Sequence, residues 1–229
     1  MKIEHLIFDL DNTLYPSTGA MDAGISSRIM QNVCSLFNVS LEEAKKLRQE
    51  QIGNFSTTLE WLCFNGLKNT DLYFSSVHPE NEADELEADF RLRPMLETIK
   101  IPKIIFTNST KEHAERVLKK LNILDLFDHI CDIRECNLKG KPYESAFNTA
   151  LKACGGTVYN TVFFDDLIKY TDGYKAMGGT AVLVGNKNGK PLNPEAKCSK
   201  YSTAERKGST FKIDTIYELP EILKTLSDI

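Results

Sequence analysis

Short, unbroken apolar runs punctuate the chain at residues 6–8, 104–106, 130–133, 162–164 and 181–184. Runs of this length without polar alternation predict strands buried on both faces, the pattern of a parallel sheet. From residue 100 onward they alternate with helical spacing, as in Ala114, Val117, Leu118 and Leu121, and again in Ala146, Phe147, Ala150 and Leu151. That alternation predicts a doubly wound, Rossmann-like α/β core.

The interval after the first run breaks the rhythm. About 90 residues separate Asp9 from the second run, too many for an ordinary crossover. Within them Met21, Ile25, Ile29, Val33 and Phe37, then Leu41, Ala44 and Leu47, recur at helical spacing. A small all-helical domain at 16–94, inserted after the first strand, is therefore predicted, with 1–15 and 95–229 forming the core. Ser40 and Glu43 read as a capping box opening one of its helices, and Gly53 is placed to end it. Gly19, Gly24 and the pair Arg93 and Pro94 mark predicted hinge neighbourhoods. The polar stretch 185–208 predicts a long surface loop before a last short strand near 211–213.

Composition narrows the class. With 229 residues, 41% of them hydrophobic, the chain can bury one substantial core, alone or with a small appendage. The net charge of −4 and the scatter of Lys and Arg disfavour a polynucleotide partner. The six cysteines include no C-x-x-C pair, so reduced thiols are expected rather than a zinc site or disulfide framework. Residues 1–5 are too few and too charged for a signal peptide, and no apolar run approaches the ~20 residues of a membrane span. A cytoplasmic protein is expected, without a membrane or protein partner and monomeric by default.

Open α/β sheets bind ligands beyond the carboxyl ends of their strands. The residues directly after the apolar runs are Asp9, Asp11 and Thr13, then Thr107, Asn108 and Ser109, then Asp165 and Asp166. A single aspartate in such a place is usually a helix cap or loop former. Several at one sheet edge repel one another and are driven toward protonation unless a cation neutralises them. A hard divalent ion taking oxygen ligands, Mg²⁺, fits best. Ser109 and Glu112 read as a capping box, which sets Thr107 and Asn108 just before a helix N-terminus that favours an anion. Lys141, followed by Pro142 as a first-turn residue, is predicted to open the helix after the third strand and to offer a point charge to a phosphoryl oxygen.

Together, Phe8-Asp9-Leu10-Asp11-Asn12-Thr13-Leu14, Thr107-Asn108, Lys141-Pro142 and Phe164-Asp165-Asp166 resemble, in order and spacing, the four motifs of the haloacid dehalogenase superfamily. The resemblance spans nearly the whole chain. It implies that Asp9 attacks phosphorus, and that Asp11 protonates the leaving oxygen and then activates water. It implies that Thr107 and Lys141 hold the phosphoryl oxygens, and that Mg²⁺ is bound by Asp9, the Asp11 carbonyl and Asp166, with Asp165 in or near its outer layer of partners. The superfamily's dehalogenases lack the second aspartate, whereas its phosphatases and mutases carry it. One departure stands out: many relatives follow the last aspartate pair with a small residue and then Asn-Ile, where this chain has Leu167-Ile168-Lys169-Tyr170-Thr171-Asp172.

The helical insertion resembles the superfamily's cap, which excludes water and reads the leaving group. Tyr15-Pro16, Thr57-Thr58-Leu59, Val77-His78 and His113-Ala114 resemble the pyrimidine 5′-nucleotidase subfamily. This implies a mononucleotide substrate such as UMP or CMP, with Asn54, Thr57 and Thr58 as candidate polar contacts. Trp61, Phe64 and Tyr73 are expected to pack within the cap, and His78 and His113 to be structural. Other small-metabolite phosphatases (acting on sugar phosphates or phosphoglycolate) and phosphomutases remain alternatives. A phosphonatase needs an activated cap lysine, and nothing marks Lys45 or Lys46 as one. A non-catalytic binding module that has kept the fold is the reading from another class.

Overall fold

The apolar runs become strands of one parallel sheet: β1 (His5–Phe8), β2 (Lys103–Phe106), β3 (Ile130–Cys131), β4 (Thr161–Asp165), β5 (Thr180–Val184) and β6 (Ser209–Ile213), in the spatial order β3-β2-β1-β4-β5-β6. The computed structural model from which this is taken describes residues 2–16, 19–51, 53–87, 89–185 and 209–227. β1 is central, with Phe8 opposite Ile105 on one side and Phe164 on the other. The strand that leads into Asp9 is thus flanked by the two strands that lead into Thr107 and Asp165.

Alternate residues of each strand point to opposite layers. Leu6, Phe8, Ile105, Val162 and Phe164 pack with α5 (Leu92–Thr98), α6 (Lys111–Lys120) and α9 (Leu219–Ser227). Ile7, Ile104, Phe106, Phe163 and Ala181 pack with α7 (Glu144–Cys154) and α8 (Ile168–Ala176). The doubly wound arrangement read from the sequence is present. Gly155 ends α7 at φ 72, a left-handed conformation that costs glycine least.

Between β1 and β2 lie α1 (Ala20–Phe37), α2 (Leu41–Gln51), α3 (Thr58–Phe64), α4 (Thr70–Val77) and a short 3₁₀ turn (Glu82–Glu85). They bury their own cluster, in which Val33, Trp61, Leu62, Phe74 and Val77 meet. Trp61 stacks on Phe37 at 4.9 Å, while Phe64, expected to pack, is exposed. The Ser40 box opens α2: Ser40 N donates to Glu43 Oε2 at 3.0 Å, and Glu43 N donates to Ser40 Oγ at 3.3 Å.

Several local expectations change. The run 130–133 yields only a two-residue strand, because Ile133 leaves the sheet and joins the insertion's cluster. The predicted domain boundary at 94/95 falls inside α5, whose Leu92 and Leu96 pack with the sheet. Arg93 and Pro94 lie in the first turn of α5 rather than in a linker, and the Arg93 guanidinium holds both Asp125 oxygens at 2.7 Å. Gly24 lies inside α1. The helix after β3 begins at Glu144, not Lys141, and the Lys141–Pro142 peptide is cis. The cap of α6 is Thr110 rather than Ser109, with Thr110 Oγ1 accepting from His113 N at 3.4 Å. Among the described residues no helix is long and apolar enough to cross a membrane. Of the predicted loop, 186–208 lie outside the described residues.

Candidate active site

Three strand ends converge at the carboxyl edge of the sheet, and a cleft of about 460 Å³ opens over them. Asp9, Asp11, Thr107, Asn108, Lys141 and Asp166 all line it, together with Asp22, Ser26 and Arg48 from the insertion. Asp165 lies beneath, fully buried.

Lys141 is the hub. Its side chain is 1% exposed, and its Nζ donates to Asp9 Oδ1 at 2.6 Å and to Asp165 Oδ2 at 2.7 Å. The rings of Phe106, Phe163 and Tyr170 surround the ammonium at 5.3, 5.5 and 5.1 Å from their centroids. Asn108 clasps the same residue by its backbone: Lys141 N donates to Asn108 Oδ1 at 2.8 Å, and Asn108 Nδ2 donates to Lys141 O at 3.1 Å. Asn108 also donates to Tyr170 OH at 3.1 Å. The unusual segment after Asp166 is therefore the start of α8, and it delivers Tyr170 to the floor of the cleft.

The clasp needs Gly140. A Cβ there would sit 2.0 Å from Asn108 Oδ1 and 2.8 Å from Ile133 Cδ1. Gly140→Ala is expected to displace Asn108 from both Lys141 bonds and to cost about 1–3 kcal/mol, the usual range for overpacking. Urea denaturation measures it, and unchanged stability would show that the neighbours yield freely.

Burial and mutual repulsion shape the charges. Burial pushes the Asp9 carboxyl up to about 7; Lys141 opposes that rise, and Asp165 and Asp11 add to it. Asp166 is pushed up to about 9 by burial and by the charges of Asp165 and Asp9. Burial raises Asp165 as well. Burial alone would lower the Lys141 ammonium, but Asp165 and Asp9 outweigh it and raise it. Carboxylate oxygens of Asp9, Asp165 and Asp166 lie within 4.8 Å of one another. Three carboxylates against one ammonium leave an excess of negative charge in a desolvated place, and an all-oxygen set of this kind suits a hard divalent cation such as Mg²⁺. Asp165, with one oxygen on Lys141 and the other on Leu167 N at 2.9 Å, lies beneath the cleft, whereas Asp9, whose oxygens meet Lys141 and Thr13 Oγ1 at 3.2 Å, and Asp166 line it and are the side chains better placed to ligate.

Asp11 has a different environment. Tyr15 OH and His113 Nε2 both donate to its Oδ1, the latter at 2.8 Å, and Ser109 Oγ donates to Oδ2 at 3.5 Å. Burial works to raise this carboxyl, but His113 and Tyr15 outweigh it and hold it well below the usual range. Asn12, next in the chain, takes a left-handed φ of 67, which asparagine tolerates in tight turns. His113 is itself raised to about 10: burial opposes the charge, and Asp11 and Glu82 overcome it. His78, Glu82 and His113 are also spaced to hold an ion. Glu82, however, is taken up by both histidines and by Arg28 and Arg116 at 3.5 and 3.2 Å, which marks a hydrogen-bonded network.

The insertion's contribution differs from the expected one. Thr57 caps α3 by accepting from Glu60 N, Thr58 Oγ1 accepts from Arg48 Nε at 3.0 Å, and Asn54 Nδ2 donates to Gln51. None of the three lines the cleft; Asp22, Ser26 and Arg48 do. Asp22 and Ser26 lie one turn apart on α1, but Ser27, Arg28, Gln31, Asn32 and Ser35 share that helix, so the sequence does not single them out. His113, expected to be merely structural, touches Asp11.

The sequence profile of the haloacid dehalogenase-like hydrolases matches residues 3–178. Over 178 residues the chain is 29% identical to Phosphate metabolism protein 8 of Saccharomyces cerevisiae, a match covering 69% of this chain and 54% of that protein. The chain thus spans about half the length of that relative. A HAD phosphatase from Thermococcus onnurineus superposes with a TM-score of 0.60 at 21% identity, covering 97% of this chain and 98% of that one. The HAD-hydrolase YfnB of Bacillus subtilis, bound to magnesium, does so with a TM-score of 0.59 at 14% identity, covering 98% and 100%. At these identities the likeness is one of fold.

Proposed function

The chain belongs to the haloacid dehalogenase-like hydrolases, and on that premise we propose that it is a Mg²⁺-dependent phosphomonoester hydrolase acting through an aspartyl phosphate. The observation that carries the reading is the pairing of Asp9, bonded to Lys141, with a second carboxylate, Asp11, in one cleft. Asp9 attacks phosphorus in line, forming the new P–O bond as the bond to the leaving oxygen breaks. Asp11 is ionised in the free cleft; the charge of the incoming phosphate raises it, so that it takes up a proton with the substrate, gives it to the leaving oxygen, and then takes one from the water that hydrolyses the aspartyl phosphate. Thr107 and Lys141 hold the phosphoryl oxygens, with Asn108 fixing the Lys141 backbone. Asp9, the Asp11 carbonyl and Asp166 are the proposed holders of Mg²⁺, with Asp165 behind them. When bound, the ion lowers the repulsion between the phosphate and the Asp9 carboxylate.

The helical insertion is the proposed cap over this cleft, excluding water and selecting the leaving group. A mononucleotide, UMP or CMP, is the leading substrate reading. A second reading has its own support: the insertion lines the cleft with Asp22, Ser26 and Arg48, and the aromatic residue of the lining, Tyr170, packs on Lys141. A polar wall suits the hydroxyls of a sugar phosphate or the carboxylate of phosphoglycolate as well as a ribose. A cytoplasmic setting belongs to the same proposal, in keeping with five described cysteines that are all free.

Phosphate release from UMP, CMP, dUMP, AMP, GMP, glucose 6-phosphate, phosphoglycolate and p-nitrophenyl phosphate, each with Mg²⁺ and with EDTA, tests it. Metal-dependent preference for the pyrimidine nucleotides is the expected result. Broad metal-dependent release discards the nucleotide assignment, and release from none of them counts against the phosphatase reading.

A further inference from the structure

Three stretches far apart in sequence are joined through His113, whose ring bridges Asp11 and Glu82. His113, in the first turn of α6, has no exposed surface, and both its ring nitrogens are engaged: Nε2 with Asp11 Oδ1 at 2.8 Å and Nδ1 with Glu82 Oε1 at 2.6 Å. The ring cannot turn without losing both bonds. Glu82, in the 3₁₀ turn that closes the insertion, is held in place by His78 Nδ1 at 3.1 Å, Arg116 Nη2 at 3.2 Å and Arg28 Nη2 at 3.5 Å. Arg28 lies on α1, two residues from Ser26 of the cleft wall, and its Nε donates to Val77 O at 2.7 Å. Burying charged pairs is seldom the cheapest way to stabilise a core, since apolar residues of the same volume do as well or better. A chain of such groups that ends on one cleft carboxylate points to a role in orienting it.

We propose that His113, braced by Glu82, is a positioning residue that fixes the Asp11 carboxylate for proton transfer, so that the insertion as well as the sheet sets the aim of the acid–base group. This rests on the reading of Asp11 as the proton donor and acceptor. Geometry of this kind matters because a displacement of about 1 Å at a reacting group can cost about 10²-fold in rate.

The test compares His113→Asn, whose amide lies near the position of Nδ1 and can reach only Glu82, with His113→Gln, whose amide nitrogen reaches the position of Nε2. Each is assayed with Mg²⁺ on p-nitrophenyl phosphate, whose leaving group departs without a proton, and on the best alkyl phosphomonoester of the panel, whose leaving group needs one. His113→Asn is expected to lose about 10²-fold in kcat on the alkyl substrate with KM changed less than about threefold. On p-nitrophenyl phosphate it is expected to keep the first turnover and accumulate phosphoenzyme, because Asp11 also serves the second step. His113→Gln should recover at least about tenfold of the loss. Glu82→Gln, read the same way, should show the same leaving-group dependence at smaller amplitude, and it carries the test alone should the His113 variants fail to fold. Equal losses on both substrates without phosphoenzyme, identical behaviour of the Asn and Gln variants, or wild-type leaving-group dependence in Glu82→Gln overturns the assignment. The underlying reading fails separately: in that case Asp11→Asn itself turns over both substrates like the wild type.

Discussion

Asp9→Asn is expected to lower phosphatase turnover by at least about 10⁴-fold, the scale seen when a covalent nucleophile is removed, without loss of folding. The carboxyl is pushed up to about 7 because burial and its acidic neighbours disfavour its charge, with Lys141 in opposition. An amide of the same shape relieves that repulsion, so the variant in EDTA should melt no lower than the wild type. Adding Mg²⁺ should raise the melting temperature of the wild type by mass action and leave the variant nearly unmoved. Turnover retained at the wild-type level would remove Asp9 from the mechanism; turnover lost with an unchanged response to Mg²⁺ would remove it from the metal set.

The second large effect is on stability. Lys141→Met keeps much of the volume but leaves Asp9 and Asp165 facing each other without their buried ammonium. Breaking a buried pair from one side typically costs about 3–5 kcal/mol, and a loss near the lower end is expected at pH 8 in EDTA. The pH dependence has a definite sign. Both carboxyls are already raised above their ordinary range in the folded protein, and removing the lysine raises them further. A folded-state carboxyl above its unfolded value binds protons more tightly when folded, so stability falls as pH rises. The deficit should therefore be smaller at pH 5 than at pH 8. Urea denaturation at the two values measures it, and the double variant Lys141→Met/Asp165→Asn should recover part of the loss. A deficit independent of pH would locate the cost in packing against Phe106, Phe163 and Tyr170 instead.

The sheet was legible because strands buried on both faces show as continuous apolar runs, and the polar residues that follow them mark the ligand edge. The same rule fails at 130–133, because an apolar run does not say which cluster each residue joins, and Ile133 packs with the insertion. Lys141 was visible by its place after a strand, but the first-turn preference of Pro142 misplaced the helix start, which falls at Glu144. Asn54, Thr57 and Thr58 are consumed by local caps and side-chain contacts that their own neighbourhood provides. Which face of α1 or α2 meets the cleft depends on how the insertion is set over the sheet, and periodicity carries no record of that. The contacts of His113 with Asp11 and with Glu82 join residues 102 and 31 positions apart, so nothing local signals them.

The stacking of Trp61 on Phe37 gives the protein an optical reporter. It is the chain's one tryptophan, and it sits inside the insertion's cluster, while the clusters on the two faces of the sheet carry phenylalanine and tyrosine. Emission excited at the red edge therefore reports on the helical insertion, whereas far-ultraviolet dichroism averages over the whole chain. Recorded on one sample during a thermal ramp, the two signals separate the melting of the helical insertion from that of the sheet, with no label attached and no residue changed.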